Sequence, residues 1–224
     1  MSPKIKICGL KSEEGVEAAL AGGADFVGFV FYGPSPRNVT PERAAELARA
    51  LRGRARIVAL TVDADDDLLA EIDARLAPDW YQLHGRETAE RVRQIKERFA
   101  RPVIKAVHVA EPGDVAAGAP YLDVADMPLY DAKAPDTPAG ALPGGHGLRF
   151  DWHLLRGGRR DVPVMLSGGL DAGNVAAAIR LVAPDAVDVS SGVERAPGDK
   201  DPEKIAAFIA TVRQGNEGGA GGGV

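Results

Sequence analysis

Two segments near the C-terminus end in small residues of the kind that hold a phosphate group. Residues 163–170 read PVMLSGGL and residues 186–194 read AVDVSSGVE, so each is an apolar run followed by serine and glycine. Backbone N–H groups can approach a ligand closely only where side chains are small. The pattern predicts a phosphate site at the ends of two late strands. Its predicted residues are Ser167, Gly168, Gly169, Ser190, Ser191 and Gly192.

The single cysteine of the chain, Cys8, could act as a general base. It closes the apolar run KIKIC, and Gly9 leaves the backbone beside it open. Lys6 is near enough in sequence to favour the thiolate. A free thiol titrates near ~8.5, so modest help from a cation makes it a usable base at neutral pH. The alternative is a small buried apolar residue, the common role of a free cysteine.

Asp131 could supply a matching acid. It ends the apolar run MPLYD and precedes a long polar loop, residues 132–149. Burial at the end of an apolar strand raises a carboxyl pKa, which suits a general acid. Long glycine-containing loops often contact ligands, so Gly145 and Gly147 join the predicted phosphate-binding residues. The alternative role for Asp131 is to cap a turn or pair with Lys133.

Arg37, in the stiff turn YGPSPRNVT, could bind a carboxylate. A guanidinium binds planar carboxylates through two parallel hydrogen bonds, and a solvated surface arginine is the alternative. The four histidines show no metal-ligand spacing. We expect His84 to contact a residue that itself touches the ligand. The sequence contains neither Gly-x-Gly-x-x-Gly nor a Ser-His-Asp order. We therefore expect no metal and no cofactor.

The elements that position these residues are predicted from short apolar runs, typical of strands, that alternate with amphipathic stretches, typical of helices. Alternation implies parallel strands with right-handed crossovers. A doubly wound sheet shares the pattern but usually opens with a glycine-rich turn, where this chain has only Gly9. Length and the late phosphate-like turns favour a single-domain α/β fold, a (β/α)8 TIM barrel over residues 1–214 with about eight helices. A flexible glycine-rich tail follows over 215–224. The predicted strands span residues 4–8, 26–31, 56–62, 80–84, 103–107, 127–131, 164–167 and 186–190.

Barrel topology brings the candidate groups to one mouth, because catalytic residues lie at the C-terminal ends of barrel strands. Alternation along the first strand directs Lys6 and Cys8 inward, and along the last strand it directs Asp188 inward. Closure places the last strand beside the first, so Lys6 and Asp188 could pair.

Composition narrows the function classes. With 224 residues and 45% apolar content, the chain can bury a sizeable core. A net charge of −5 argues against broad binding to nucleic acid, which needs a basic surface. One cysteine rules out an intramolecular disulfide. Without a signal segment or a ~20-residue apolar run, we expect a cytoplasmic protein with no membrane partner.

Together these residues resemble the phosphoribosylanthranilate isomerase family of tryptophan biosynthesis, from residue 4 to about 212. Residues 121–128, YLDVADMP, depart from the pattern and offer Asp123 and Asp126 as rivals to Asp131. The motifs that carry the resemblance are KICGL (6–10), GADFVGFVFYGPSPR (23–37), WYQLHG (80–85), LYDAKAP (129–135), GGHGLRFDW (144–152), LSGGLDAGNV (166–175) and AVDVSSGVE (186–194).

The resemblance implies a cofactor-free Amadori rearrangement of a small phosphosugar, N-(5-phosphoribosyl)anthranilate, by a monomer or homodimer. Carried over by motif, Cys8 is the general base and Asp131 the general acid. The implied substrate-binding residues are Lys6, Arg37, Gln82, His84 and Asp188. One alternative is the analogous isomerase of the histidine pathway, which has a carboxylate where this chain has Cys8. Another is a phosphate-binding barrel without activity.

Overall fold

The computed structural model describes residues 2–133, 147–157 and 161–214. Eight parallel strands close into a barrel in sequence order, with β8 hydrogen-bonded to β1, so the predicted barrel is confirmed. Each predicted strand end lies within two residues of the observed one. The strands are β1 Lys4–Cys8, β2 Phe26–Phe31, β3 Arg56–Thr61, β4 Trp80–Leu83, β5 Val103–Val109, β6 Met127–Ala132, β7 Met165–Leu166 and β8 Ala186–Val189.

Helices follow most strands, and several begin at a residue whose side chain caps the first turn. The side chains of Thr40 and Asp65 each accept a hydrogen bond from a first-turn N–H, and that of Asp201 accepts from Glu203 N at 2.9 Å. A short hairpin, β9 Glu194–Ala196 and β10 Asp199–Lys200, follows β8. The α-helices are α1 Glu13–Gly22, α2 Pro41–Ala48, α3 Asp66–Leu76, α4 Ala89–Phe99, α5 Pro112–Ala117, α6 Val175–Val182 and α7 Pro202–Gln214.

The segment between β6 and β7 departs from strict alternation. Its described residues form a 3₁₀ helix, Trp152–Leu155, where the pattern predicted a helix. Gly157 follows with a φ of 73°, a left-handed conformation typical of the residue that ends a helix. The described residues thus contain seven α-helices, and this 3₁₀ helix takes the place of an eighth, in agreement with the prediction of about eight helices.

Apolar side chains form two layers around the barrel wall. Outward-facing residues such as Ile5 and Ile7 are fully buried against the surrounding helices. Phe26, Val58 and their neighbours fill the lower barrel interior. Cys8 lies higher, in a small layer with Val30 and Leu60 near the mouth. The packed interior leaves space for a ligand only above this layer.

Four aspartate clamps tie the strands together in pairs at the opposite end of the barrel. In each clamp, an aspartate directly before an even-numbered strand accepts a hydrogen bond from an N–H at the start of the preceding strand, and its own N–H binds that residue's carbonyl. Asp126 is one of them, so this rival carboxylate lies far from the mouth. The carboxylate contacts are Asp25 with Ile5, Asp79 with Ile57, Asp126 with Val103 and Asp185 with Val164, at 2.7–2.8 Å.

Candidate active site

A single pocket at the C-terminal ends of the strands contains most of the predicted site residues. Val30, Leu60 and Leu148 supply part of its apolar lining. Gly192 does not line this pocket, and Gly145 lies outside the described residues. The predicted residues that line the pocket are Cys8, Arg37, Gln82, His84, Asp131, Gly147, Ser167, Gly168, Gly169, Asp188, Ser190 and Ser191.

Cys8 ends β1 and is 3% exposed, with its sulfur turned toward β2. Gly28, its neighbour across the ladder, makes room for it. A Cβ at Gly28 would lie 3.0 Å from Cys8 Sγ and 3.2 Å from Lys6 Nζ. The sequence did carry a signal for this residue, since a lone glycine within the apolar run FVGFVF marks a close approach. We did not predict Gly28 as part of the site.

The charges around Cys8 differ from the sequence-based expectation. Lys6 points inward as predicted, but it is fully buried beneath the pocket floor and donates to Asp188 Oδ1 at 2.8 Å. Asp188 also accepts from Ser167 Oγ at 3.2 Å. Burial raises the pKa of the Cys8 thiol; Lys6 opposes this, Asp188 adds to it, and the net shift is upward. The expected low thiol pKa is therefore wrong, because burial outweighs the charge of Lys6 and Asp188 adds to the effect of burial.

Asp131 ends β6 at the mouth and takes part in a chain of hydrogen bonds. Its Oδ2 lies 3.1 Å from His84 Nε2, and its Oδ1 accepts from Ala132 N at 2.9 Å. Gln82 Nε2 lies 3.0 Å from His84 Nδ1. An amide N–H can only donate, so His84 carries its proton on Nε2 and donates it to Asp131.

The pKa of Asp131 also departs from the expected direction. Burial alone raises the pKa of this carboxyl. The hydrogen bond from His84, the histidine charges and the Ala132 N–H together outweigh burial, so the net pKa is lowered. The prediction of a raised pKa is wrong, because it considered burial without the partner that β4 supplies.

His108, on β5, is a further residue of this cluster. Its Nε2 donates to the His84 carbonyl at 3.2 Å, and the two rings lie 5.1 Å apart. Burial, followed by the charge of His84, lowers the pKa of His108 to about 4, so the ring is neutral at pH 7. One ligand-type atom from each of His84, His108 and Asp131 falls within 4.8 Å of the other two. Sequence spacing did not reveal this group, because three different strands supply it.

Arg37 lines the pocket but is neither free nor solvated. It is 6% exposed, and its Nε and Nη2 each donate to one carboxylate oxygen of Glu194 at 2.8 Å. Lys200 donates to the same carboxylate at 2.8 Å. Neither Glu194 nor Lys200 was predicted as a site residue, and the β9–β10 hairpin brings both to the site.

Consecutive left-handed glycines form the predicted phosphate cradle after β7. Gly168 and Gly169 have φ angles of 84° and 63°. A Cβ at Gly168 would lie 2.7 Å from Ala132 N, and one at Gly192 would lie 1.9 Å from the Leu170 carbonyl oxygen. No described residue accepts a hydrogen bond from the N–H of Gly168 or Gly169. Both glycines line the pocket together with Asp131, so their N–H groups are available to a bound anion.

The two serine hydroxyls nearest the strands have partners within the protein. Ser167 Oγ donates to Asp188, and Ser190 Oγ donates to the Cys8 carbonyl at 3.2 Å. Gly147 approaches Ser191, since a Cβ on Gly147 would lie 3.7 Å from Ser191 Oγ. The backbone of these turns, more than the hydroxyls of Ser167 and Ser190, is thus available to an anion.

Comparison with known proteins agrees with this geometry. The family model for N-(5'-phosphoribosyl)anthranilate (PRA) isomerase matches residues 5–211. The chain belongs to this family. Several curated PRA isomerases match 95–96% of its length. The enzyme of Bradyrhizobium diazoefficiens is 54% identical over 213 residues, which is 95% of each chain. That of Parvibaculum lavamentivorans is 50% identical over 214 residues, 96% of this chain and all of the relative.

Solved PRA isomerase structures share the fold. The Thermotoga maritima enzyme is 37% identical, with a TM-score of 0.84 over 95% of this chain and 99% of that one. A PRA isomerase in complex with reduced 1-(o-carboxyphenylamino)-1-deoxyribulose 5-phosphate is 35% identical, with a TM-score of 0.82 over the same shares. Among the described residues, no helix combines the length and apolar character needed to cross a bilayer.

Proposed function

We propose that this chain isomerises N-(5-phosphoribosyl)anthranilate to 1-(2-carboxyphenylamino)-1-deoxyribulose 5-phosphate, with Cys8 as general base and Asp131 as general acid. One observation carries the assignment. A thiol from β1 and a carboxyl from β6 line the same pocket, which is bounded by the glycine turn after β7. A base and an acid on two walls match a reaction that removes one proton while adding another.

The proposed steps move only protons and electron pairs. Asp131 protonates the ribose ring oxygen, the C1–O bond breaks, and the nitrogen lone pair forms a C1=N iminium. The Cys8 thiolate removes the proton from C2, and the C2–H electron pair forms a C1=C2 bond while the iminium becomes an amine. The enolamine then tautomerises, as the C2 hydroxyl loses its proton and C1 gains one. Substrate and product are isomers, so these steps need no oxidant, reductant or cofactor.

The working form of the pair differs from the resting form by the position of one proton. The raised pKa of Cys8 and the lowered pKa of Asp131 favour thiol and carboxylate at rest. Catalysis needs the opposite arrangement, a thiolate and a carboxylic acid. The total charge of the two forms is the same, so one proton transfer from sulfur to Asp131 prepares the site.

The ends of the substrate match two different parts of the pocket. The phosphate is placed at the backbone donors of Gly168 and Gly169, and the anthranilate carboxylate beside Arg37. From β7 through β8 and β1 to β2 is three strand spacings of ~4.8 Å, or about 14 Å along the rim. The ligand named for the related complex likewise has a phosphate at one end and a carboxyphenyl group at the other.

Turnover of freshly prepared substrate tests the function. We expect the anthranilate fluorescence to change as product forms, and Cys8 and Asp131 variants to bind substrate without converting it. Saturable binding of substrate by the wild-type protein without any product would instead support a phosphate-binding barrel without activity.

We also propose a cytoplasmic protein that is a monomer or a homodimer. One solved Thermotoga maritima structure is described as monomers generated from a dimeric enzyme, so both states are known in the family. Residues 1–214 are proposed as the folding unit. The predicted tail, 215–224, lies outside the described residues, as does Gly145. Sedimentation analysis of the chain with and without residues 215–224 tests these proposals.

A further inference from the structure

A buried cluster of three charged side chains lies behind the pocket wall near Cys8. Arg37, Glu194 and Lys200 are 6%, 8% and 4% exposed. Glu194 is bound on one side by the two guanidinium N–H groups at 2.8 Å and on the other by Lys200 Nζ at 2.8 Å. We call these three residues the charge triad. The β9–β10 hairpin supplies two of its members, at the ends of the segment from Glu194 to Lys200.

The hydrogen bonds of Lys200 match a charged ammonium. Its Nζ reaches three acceptors: Glu194 Oε1 at 2.8 Å, Ser190 O at 3.0 Å and Ser190 Oγ at 3.2 Å. An ammonium has three N–H donors, so each has an acceptor. Burial lowers the pKa of Lys200, and the charge of Glu194 opposes that change only in part, so the net pKa is lowered. A buried carboxylate and a fully bonded ammonium stabilise each other in their charged forms.

Counting formal charges shows what Lys200 adds. Arg37 and Glu194 form a bidentate ion pair whose net charge is zero, and a pair without net charge attracts a carboxylate only weakly. Lys200 brings the triad to one net positive charge. Opposite charges interact strongly where water is excluded, so this single charge matters at the wall of the pocket.

Lys200 is also connected to the backbone of the proposed base. It donates to Ser190 Oγ, and Ser190 Oγ donates to the Cys8 carbonyl at 3.2 Å. These contacts fix the end of β8 against the end of β1. A change at Lys200 can therefore reach the reacting centre without Lys200 touching substrate.

We propose that Lys200 is a positioning residue for the isomerisation: it balances Glu194, so that Arg37 presents a net positive charge to the substrate carboxylate, and it holds Ser190 against Cys8. The proposal rests on the proposed function, because it requires the carboxylate to bind beside Arg37. It assigns the β9–β10 hairpin a role in substrate affinity.

Steady-state kinetics of Lys200→Met test the proposal. Methionine keeps most of the side-chain volume and removes the charge. We expect KM to rise about tenfold, since one unit charge near the carboxylate is lost, and kcat to fall by a smaller factor. Lys204→Met is the matched control, because Lys204 is exposed and donates only to the backbone carbonyl of Glu194, at 2.7 Å. Its KM should equal that of the wild type.

A double variant separates charge balance from packing. Lys200→Met with Glu194→Gln returns the triad to one net positive charge, so we expect most of the lost affinity to return. A purely structural role predicts that the double variant is worse than the single one. The double variant leaves Arg37 as the one charge of the triad, so where Lys200→Met does not fold, as judged by circular dichroism, the test is whether the KM of the folded double variant is close to that of the wild type.

Two outcomes would overturn the proposal. One is a folded Lys200→Met protein with a KM within twofold of the wild type. The other is a double variant whose KM stays as high as that of the single variant. If the wild-type protein itself fails to turn over the substrate, the proposed function fails instead, so the two failures are distinguishable.

Discussion

Replacing Asp131 with asparagine tests the proposed acid with little change in shape. Asparagine has the same outline, and its Oδ1 can still accept from Ala132 N. Its amide N–H would face the N–H of His84 Nε2, two donors in contact. The chain can relieve this conflict, because His84 can move its proton to Nδ1 and Gln82 can turn its amide. The buried Gln82 Oε1, which has no partner among the described residues, would then accept from His84.

The two consequences of this change differ in size. The fold exchanges a hydrogen bond to a charged acceptor for one to a neutral acceptor, so we expect the free energy of unfolding to fall by about 1 kcal/mol. An amide has no acidic proton to give to the ring oxygen. We therefore expect kcat to fall by ~10²–10⁴, or about 2.7–5.5 kcal/mol in activation free energy. KM should change little, since the proposed anchors of the substrate are elsewhere.

The assay is the fluorescence change of the anthranilate group, alongside urea unfolding of the same preparation. Asp126→Asn is the control, because that clamp carboxylate lies at the other end of the barrel, paired with Lys96 and the N–H of Val103 at 2.8 Å each. Its turnover should equal that of the wild type. Retention of more than a tenth of wild-type kcat by Asp131→Asn, or a greater loss in Asp126→Asn, would refute the assignment.

Three further changes give distinct results. Cys8→Ala should lower kcat by ~10²–10⁴ while leaving the thermal midpoint and KM near wild type, as kinetics and calorimetry would measure. Gly168→Ala should lower the free energy of unfolding by about 1–2 kcal/mol, because its φ is left-handed, and should raise KM, because the new Cβ displaces Ala132. Gly23→Ala is the control: its φ is 80° but no atom lies within 4 Å of a Cβ, so it should lose the same stability with no change in KM. His108 binds a proton near pH 6.5 when unfolded but only near about 4 when folded, so from pH 7 to 5 its contribution to the free energy of unfolding falls by about 2 kcal/mol. Urea unfolding at both pH values should show this loss in the wild type and a smaller one in His108→Gln.

The barrel and the position of the proposed acid and base were predictable because they depend on local patterns and one topological rule. Apolar runs between turn signals identified all eight strands. Parallel closure then placed Cys8 and Asp131 at the same mouth. The segment between β6 and β7 was less predictable. Alternation predicted a helix there, but it did not show that the helix would be a single 3₁₀ turn followed by Gly157.

The electrostatics of the site were only partly predictable. Barrel closure predicted the Lys6–Asp188 pair, which is confirmed, but it did not predict that Arg37 meets Glu194, 157 residues away. The lowered pKa of Asp131 depends on such a distant partner, His84, and the bidentate ion pair of Arg37 depends on Glu194. The raised pKa of Cys8 has burial as its first cause, which the apolar strand end already indicated. Gly28, by contrast, was predictable as a site residue, because a lone glycine within the single apolar strand β2 marks a close approach.

The aspartate clamps imply an order in which the protein can assemble. Each clamp spans only 20 to 23 residues, so a strand, its helix and the next strand can set their register as a local quarter before the ring closes. Cys8 belongs to the first quarter and Asp131 to the third. A half-barrel made of the first two quarters or of the last two can therefore be well ordered and still inactive, and enzymatic activity reports that the ring is complete.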